Sequence, residues 1–157
     1  MGAELSFYHP NGKGTGGAVK FSLIPADGEK FVDGGLRVAM AAQVKGDGFE
    51  MYPRFDWDRV IEVRLGFLDV ARMLQVFRGE TESINDGLGL FVFNPLCRMK
   101  FSLRHVVEPV AGYEIKLVRK IGEAGQEDSV WVMLTGVEGL GLCCALENSM
   151  GILAFGK

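Results

Sequence analysis

The chain is poor in the residues most chemistry needs. Of its 157 residues only two are histidine, His9 and His105. Neither has a cysteine or carboxylate partner at metal-ligand spacing. No Gly-x-Ser-x-Gly nucleophile motif occurs. Three cysteines, Cys97 and the adjacent Cys143-Cys144, supply no disulfide framework. The adjacent pair reads as small buried apolar residues, and unpaired thiols point to a cytoplasmic or other reducing compartment. There is no excess of positive charge either. Seventeen Lys and Arg face twenty Asp and Glu, for a net charge of -3. Nucleic-acid-binding domains usually carry a basic excess. The start, Met1-Gly2-Ala3-Glu4, is neither basic nor followed by a long apolar run, so no signal peptide is expected. These absences predict no catalytic residues, no metal site and no cofactor; the chain does not read as an enzyme.

What is present describes a folded domain. Hydrophobic residues make up 48% and charged residues 24%. That balance and length suit one soluble domain over residues 1–157 with a core of its own. Leu134 to Phe155 is long and apolar, but Glu138, Glu147 and Asn148 within it are costly at bilayer depth. A buried or partner-facing helix is expected there, and no membrane.

Hydrophobic periodicity divides the chain into two similar halves. Leu5–His9 is a short strand. Val19, Phe21 and Leu23 alternate with Lys20 and Ser22. Leu36, Val38, Met40, Ala42 and Val44 alternate with Arg37, Ala39, Ala41 and Gln43, and Lys45-Gly46-Asp47-Gly48 ends that strand. Val60–Leu65 is strand-like. A helix follows at Phe67–Arg78, with Phe67, Val70, Ala71, Leu74 and Phe77 as its apolar stripe and Gly79 as its stop. The second half repeats the scheme. Strands are predicted at Gly87–Phe93, Arg98–Val107, around Tyr113–Val118 and at Ser129–Leu134, with a loop at Gly122–Asp128. A helix over Thr135–Phe155 closes the half. The pattern is α+β: two antiparallel four-stranded sheets, each followed by a helix.

Several residues have the chemistry to touch a ligand. Gly12-x-Gly14-x-x-Gly17 formally matches a dinucleotide fingerprint, but it opens the alternating strand Ala18-Val19-Lys20-Phe21 rather than a helix. The same loop could let a nucleic-acid backbone approach, with Lys13 on a phosphate, or be a flexible hairpin. Arg54, Phe55, Trp57 and Arg59 interleave cations with aromatics. Bases stack on aromatic rings while Lys and Arg hold the backbone. Phe55 and Trp57 could equally anchor the strand into the core. Charge is also uneven along the chain. Between Arg98 and Lys120 six basic residues oppose Glu108 and Glu114. Lys20/Ser22, Arg37/Gln43 and Lys100/Ser102/Arg104 share polar strand faces that suit phosphates or plain solvent. His105 falls on an apolar face and reads as a core histidine.

The second helix is unusual in carrying Gly136, Gly139, Gly141 and Gly151. Each costs about 1 kcal/mol against alanine in a helix interior, so close packing is expected there. Apolar residues surround much of its circumference, which predicts a second subunit on the side the sheets do not cover.

Together these segments resemble the Whirly family of single-stranded-DNA-binding proteins. The wider group includes kinetoplast mitochondrial guide-RNA-binding proteins and the positive-cofactor type of transcriptional coactivator. Gly12-Lys13-Gly14-Thr15-Gly16-Gly17-Ala18-Val19 is similar to that family's lysine-glycine-alanine loop. Tyr52-Pro53-Arg54-Phe55-Asp56-Trp57-Asp58-Arg59 resembles its aromatic-Asp-Trp approach to the fourth strand, and Val132–Gly156 its closing strand and helix. The resemblance implies the duplicated sheet-and-helix fold, assembly as a homotetramer and binding of single-stranded DNA or RNA, in transcription regulation or DNA maintenance. It nominates Lys13, Lys20, Phe55 and Trp57 as contacts, beside Arg54. Face alternation adds Arg37, Lys100 and Arg104. The alternative is an oligomeric scaffold of the same fold without a nucleic-acid partner.

Overall fold

The computed structural model describes residues 3–45, 52–93, 95–122 and 125–157. Period-two alternation produces eight strands. In chain order they are β1 (Glu4–His9), β2 (Gly17–Ile24), β3 (Gly35–Ala42), β4 (Ile61–Leu65), β5 (Leu90–Phe93), β6 (Cys97–Val106), β7 (Gly112–Ile121) and β8 (Gln126–Thr135). Helix α1 (Phe67–Phe77) follows β4, and α2 (Gly136–Phe155) follows β8. The strands pair in simple order, β1-β2-β3-β4 in one sheet and β5-β6-β7-β8 in the other, all antiparallel. The duplicated sheet-and-helix architecture expected from periodicity is the one observed.

One apolar cluster draws on both halves. Val19, Phe21, Leu36, Val38, Met40, Ile61, Val63 and Leu65 come from the first sheet; Met99, Phe101, Leu103, Ile115, Leu117, Val130, Val132 and Leu134 come from the second. Strand β8 packs against β2 and β3, and the two helices lie against each other. Val70, Met73 and Leu74 of α1 join the core with Leu142, Cys143, Leu146 and Leu153 of α2.

Local signals set the helix ends. Thr135 and Glu138 form a reciprocal capping box at the start of α2: the Thr135 hydroxyl accepts from the Glu138 amide at 3.1 Å, and the Glu138 carboxylate accepts from the Thr135 amide at 2.9 Å. Gly156 ends it in the left-handed region at φ 81°. At α1 the Asp69 carboxylate accepts from the Gly66 amide at 3.0 Å. Arg78 of the first half meets Glu147 of α2 at 3.1 Å, and the Cys143 thiol donates to the same carboxylate at 3.2 Å. Burial, then that hydrogen bond, pushes the Cys143 thiol up to about 11.

Several expectations need correcting. The core line of α1 is Val70, Met73, Leu74 and Val76, while Phe67 is exposed. The helix packs against α2 as well as strands, so its buried side is turned toward Met73 and Val76. The strand expected from Gly87 begins at Leu90, because Ile84–Gly87 forms a 3₁₀ turn with Asn85 and Asp86 at positive φ. Strand β8 starts at Gln126, inside the expected loop. His105 is exposed beside Tyr113, ring centroids 5.2 Å apart, and is not a core histidine. Alternation assigned its face, but β6 runs on past the core. Cys143 is buried as expected; Cys144 is exposed. The turn at Gly46–Gly48 and part of the Gly122–Asp128 loop lie outside the described residues.

The four helix glycines divide. Gly139 packs so closely on Tyr113 that a methyl group would collide with the ring, and Gly151 faces the Lys157 carbonyl. Gly136 and Gly141 face open space. Helix α2 is long and apolar enough to cross a membrane by length and composition, but it buries one side in the core described above.

Candidate nucleic-acid interface

Two surfaces carry aromatic and cationic side chains together. The first lies on the outer face of the first sheet. Register places Glu4, Ser22, Arg37 and Arg64 in one row and Ser6, Lys20, Ala39 and Glu62 in the next. The segment before β4 folds back toward β3. Val44 donates its amide to the Arg54 carbonyl, and Asp56 donates to that of Ala42, both at 2.8 Å. This return brings the predicted aromatics onto the sheet. The Phe55 ring lies 5.6 Å from Tyr8, and the Lys20 ammonium sits 4.1 Å from the centre of the Trp57 ring.

Trp57 is half-buried and stands outside the core cluster, which argues against its anchoring the strand in the core. Trp57→Ala is expected to leave the melting temperature nearly unchanged, whereas a ring that stacks one base of a single strand would account for about tenfold in affinity. A melting curve beside an anisotropy titration separates the two effects. A large loss of stability would restore the core-anchor reading.

The glycine loop is held by side chains. The Asn11 carbonyl side chain accepts the amides of Lys13 and Thr15 at 3.0 and 2.9 Å. Gln43 accepts the amides of Asn11 and Gly16 at 2.9 and 3.1 Å and donates to the Asn11 carbonyl at 3.2 Å. The loop opens β2, not a helix, so it is no dinucleotide site. Lys13 is presented, exposed, from a tied loop.

The predicted cations are not equivalent. Arg37 pairs with Glu62 at 2.9 Å. Arg104 makes a two-pronged pair with Glu114 at 2.9 and 3.1 Å. Lys20 stands 3.9 Å from Glu4 as well as over Trp57. Arg54 is exposed on the returning segment. Of the predicted cations, only Lys100 lies on the second surface without an acidic partner among the described residues.

That second surface is the outer face of the second sheet. Register lines up Phe91, Lys100, Val118 and Ser129 in one row. Phe93, Arg98, Lys120 and Glu127 form the next, and Ser102, Lys116 and Trp131 the row on the other side. Phe91, Phe93 and Trp131 are exposed. Arg98, Lys100, Lys116 and Lys120 make no ion pair among the described residues. Sequence reasoning missed all three aromatics. For Phe91 and Phe93 the signal was present in the alternation of Leu90-Phe91-Val92-Phe93, in which the larger rings occupy the outward positions. No cluster of three or more metal-ligating side chains occurs among the described residues.

This geometry defines a duplicated sheet-and-helix protein of the Whirly fold. The structure of WHY1 from Arabidopsis thaliana superposes with a TM-score of 0.72 at 14% identity, over 99% of this chain and 86% of that one. The plant transcriptional regulator PBF-2 gives 0.70 at 16% identity, over 98% and 82%. A guide-RNA-binding protein complex bound to its guide RNA gives 0.58 at 14%, over 99% and 94%. No protein-family profile matches the sequence, and no curated protein matches it.

Proposed function

We propose that the chain is a non-catalytic single-stranded nucleic-acid-binding protein with little sequence preference. The observation that carries this reading is the outer face of the second sheet. Three exposed aromatic rings stand there among four cations, Arg98, Lys100, Lys116 and Lys120, that form no ion pair among the described residues. Stacking tolerates any base, because every base has a π face, and cations track the phosphates. The acidic net charge does not oppose this, since attraction follows the local field rather than the sum. Lys13, Lys20, Arg54, Phe55 and Trp57 extend the contact surface onto the first sheet. Similarity of fold to a guide-RNA-binding protein and to a transcriptional regulator supports the reading.

Fluorescence anisotropy with labelled single strands and duplex across salt concentrations tests it. Affinity should fall linearly in log–log form, with a slope near -0.7 for each phosphate neutralised on a single strand. Absence of binding at low salt would leave the scaffold reading in its place.

The protein is also proposed to assemble through α2, as a homotetramer. Val137, Leu140, Gly141, Cys144, Asn148, Gly151 and Phe155 form an exposed stripe at three- and four-residue spacing, with Val137 81% and Phe155 82% exposed. Small residues allow close helix approach, and a stripe this apolar gains by being covered. Leu140→Glu should convert the assembly to a monomer by light scattering and make Cys144 newly open to alkylation. A wild-type monomer at micromolar concentration would refute this assembly.

A further inference from the structure

We propose that Phe91 and Phe93 form a slot that takes a single unpaired base between their rings. The proposal rests on the single-strand-binding reading above and names one subsite of it. The two residues are i, i+2 on β5, so both point to the outer face, about 6.8 Å apart along the strand. Their rings stack nearly parallel, with an interplanar angle of 13° and centroids 6.4 Å apart. Two carbon surfaces in contact lie about 3.5–4.0 Å apart, so the centroids are farther apart than those of two rings in direct face-to-face contact. A stacked base occupies about 3.4 Å, and a base with a ring on each side needs about 6.8 Å. The centroid spacing is within about 0.4 Å of that, and side-chain rotation that sets the two rings face to face along the strand completes the slot. Phe91 is 58% and Phe93 69% exposed, and neither ring stacks on any other aromatic among the described residues.

The strand beside them completes the site. Lys100 lies directly opposite Phe91, and Arg98 directly opposite Phe93. One cation therefore stands at each side of an inserted base, within reach of the phosphates before and after it. Lys120, next to Arg98, extends the same cationic track. The slot selects for single strands on physical grounds. A base in a duplex is already stacked and paired, and extracting it carries an unpairing cost that an unpaired base does not meet.

The test uses the full chain and an oligothymidylate of roughly 12 nucleotides, in the size range of single-strand sites, with one central 2-aminopurine. The wild type should bind and quench the 2-aminopurine fluorescence. Phe91→Ala and Phe93→Ala should each relieve the quenching and weaken binding about tenfold. Phe93→Leu should behave like Phe93→Ala, since it keeps apolar area and loses the ring. Both rings are exposed, so melting temperatures should not move. The double variant should be hardly weaker than either single one, because both rings hold the same base. Multiplying losses in the double variant would mean two independent stacking positions and would overturn the slot. Unchanged affinity in the single variants of a binding-competent protein would overturn it while leaving single-strand binding intact. A wild type that binds no single strand at low salt would remove the slot together with the reading it rests on.

Discussion

Neutralising Lys100 and Lys116 together, as Lys100→Gln with Lys116→Gln, should weaken single-strand binding about 25-fold at about 0.1 M salt and reduce the salt slope by about 1.4. The reasoning is counterion release. Each phosphate neutralised on a single strand contributes about -0.7 to the slope, equivalent to about fivefold in affinity between about 1 M and 0.1 M salt. Both lysines stand on the outer face of the second sheet: Lys100 opposite Phe91, Lys116 opposite Trp131. Neither has an acidic partner among the described residues, so their charge is available to a ligand. Arg104 is the internal control. Its guanidinium already holds Glu114 through two hydrogen bonds. A phosphate would have to compete with that carboxylate, so Arg104→Gln should change the slope by clearly less than either lysine. Equal slopes for wild type and the double variant would place the strand elsewhere on the molecule.

Gly34→Ala should destabilise the fold by about 3 kcal/mol, the upper end for overpacking a tight site. The melting temperature should drop by about 6–12 °C in a chain of this size. Gly34 is buried just before β3, where the last turn of α2 crosses the first sheet. A methyl there would stand 2.6 Å from the Leu153 Cα and collide with the Leu153 carbonyl. These are backbone atoms, so no side chain can rotate away. The whole carboxyl-terminal turn of α2 would have to lift, exposing Leu153 from the core and loosening the bond from the Ala26 amide to the Ile152 carbonyl. Gly141→Ala is the contrasting variant on the same helix. Its methyl meets nothing, and alanine is favoured by about 1 kcal/mol in a helix interior. The single chain's fold should therefore gain stability from it, read in the Leu140→Glu background that removes the proposed assembly. Thermal melts of both variants check the pair; a tolerated Gly34→Ala would mean that α2 does not close on the first sheet as described.

Most of the fold is legible in the order of the residues. In β2 and β6 the apolar members, Val19 and Phe21, Met99, Phe101 and Leu103, are the ones buried. Glycine and proline breaks place most boundaries within a few residues. Local pattern misleads where tertiary context overrides it. His105 has the phase of a core residue but lies beyond the end of the core. Phe67 has the phase of the α1 stripe, yet the helix turns toward α2.

The candidate site is legible only in part. The approach segment Arg54–Arg59 stands out because its aromatics and cations are adjacent in sequence. Phe91 and Phe93 do not, because their cationic neighbours, Lys100 and Arg98, lie across a strand pair. Sequence distance hides such partners, while register makes them adjacent at about 5 Å.

By itself the sequence determined which segments are strands and helices and which residues share a face. Those are local properties, set by a period of two or of 3.6 along the chain. Tertiary structure alone decided what each face holds. It set Lys20 over Trp57, tied Arg37 to Glu62 and Arg104 to Glu114, and gathered Arg98, Lys100, Lys116 and Lys120 around three exposed rings. Whether a surface charge is available depends on what the fold brings within a few ångströms of it, and Coulomb attraction between side chains takes no account of their separation along the chain.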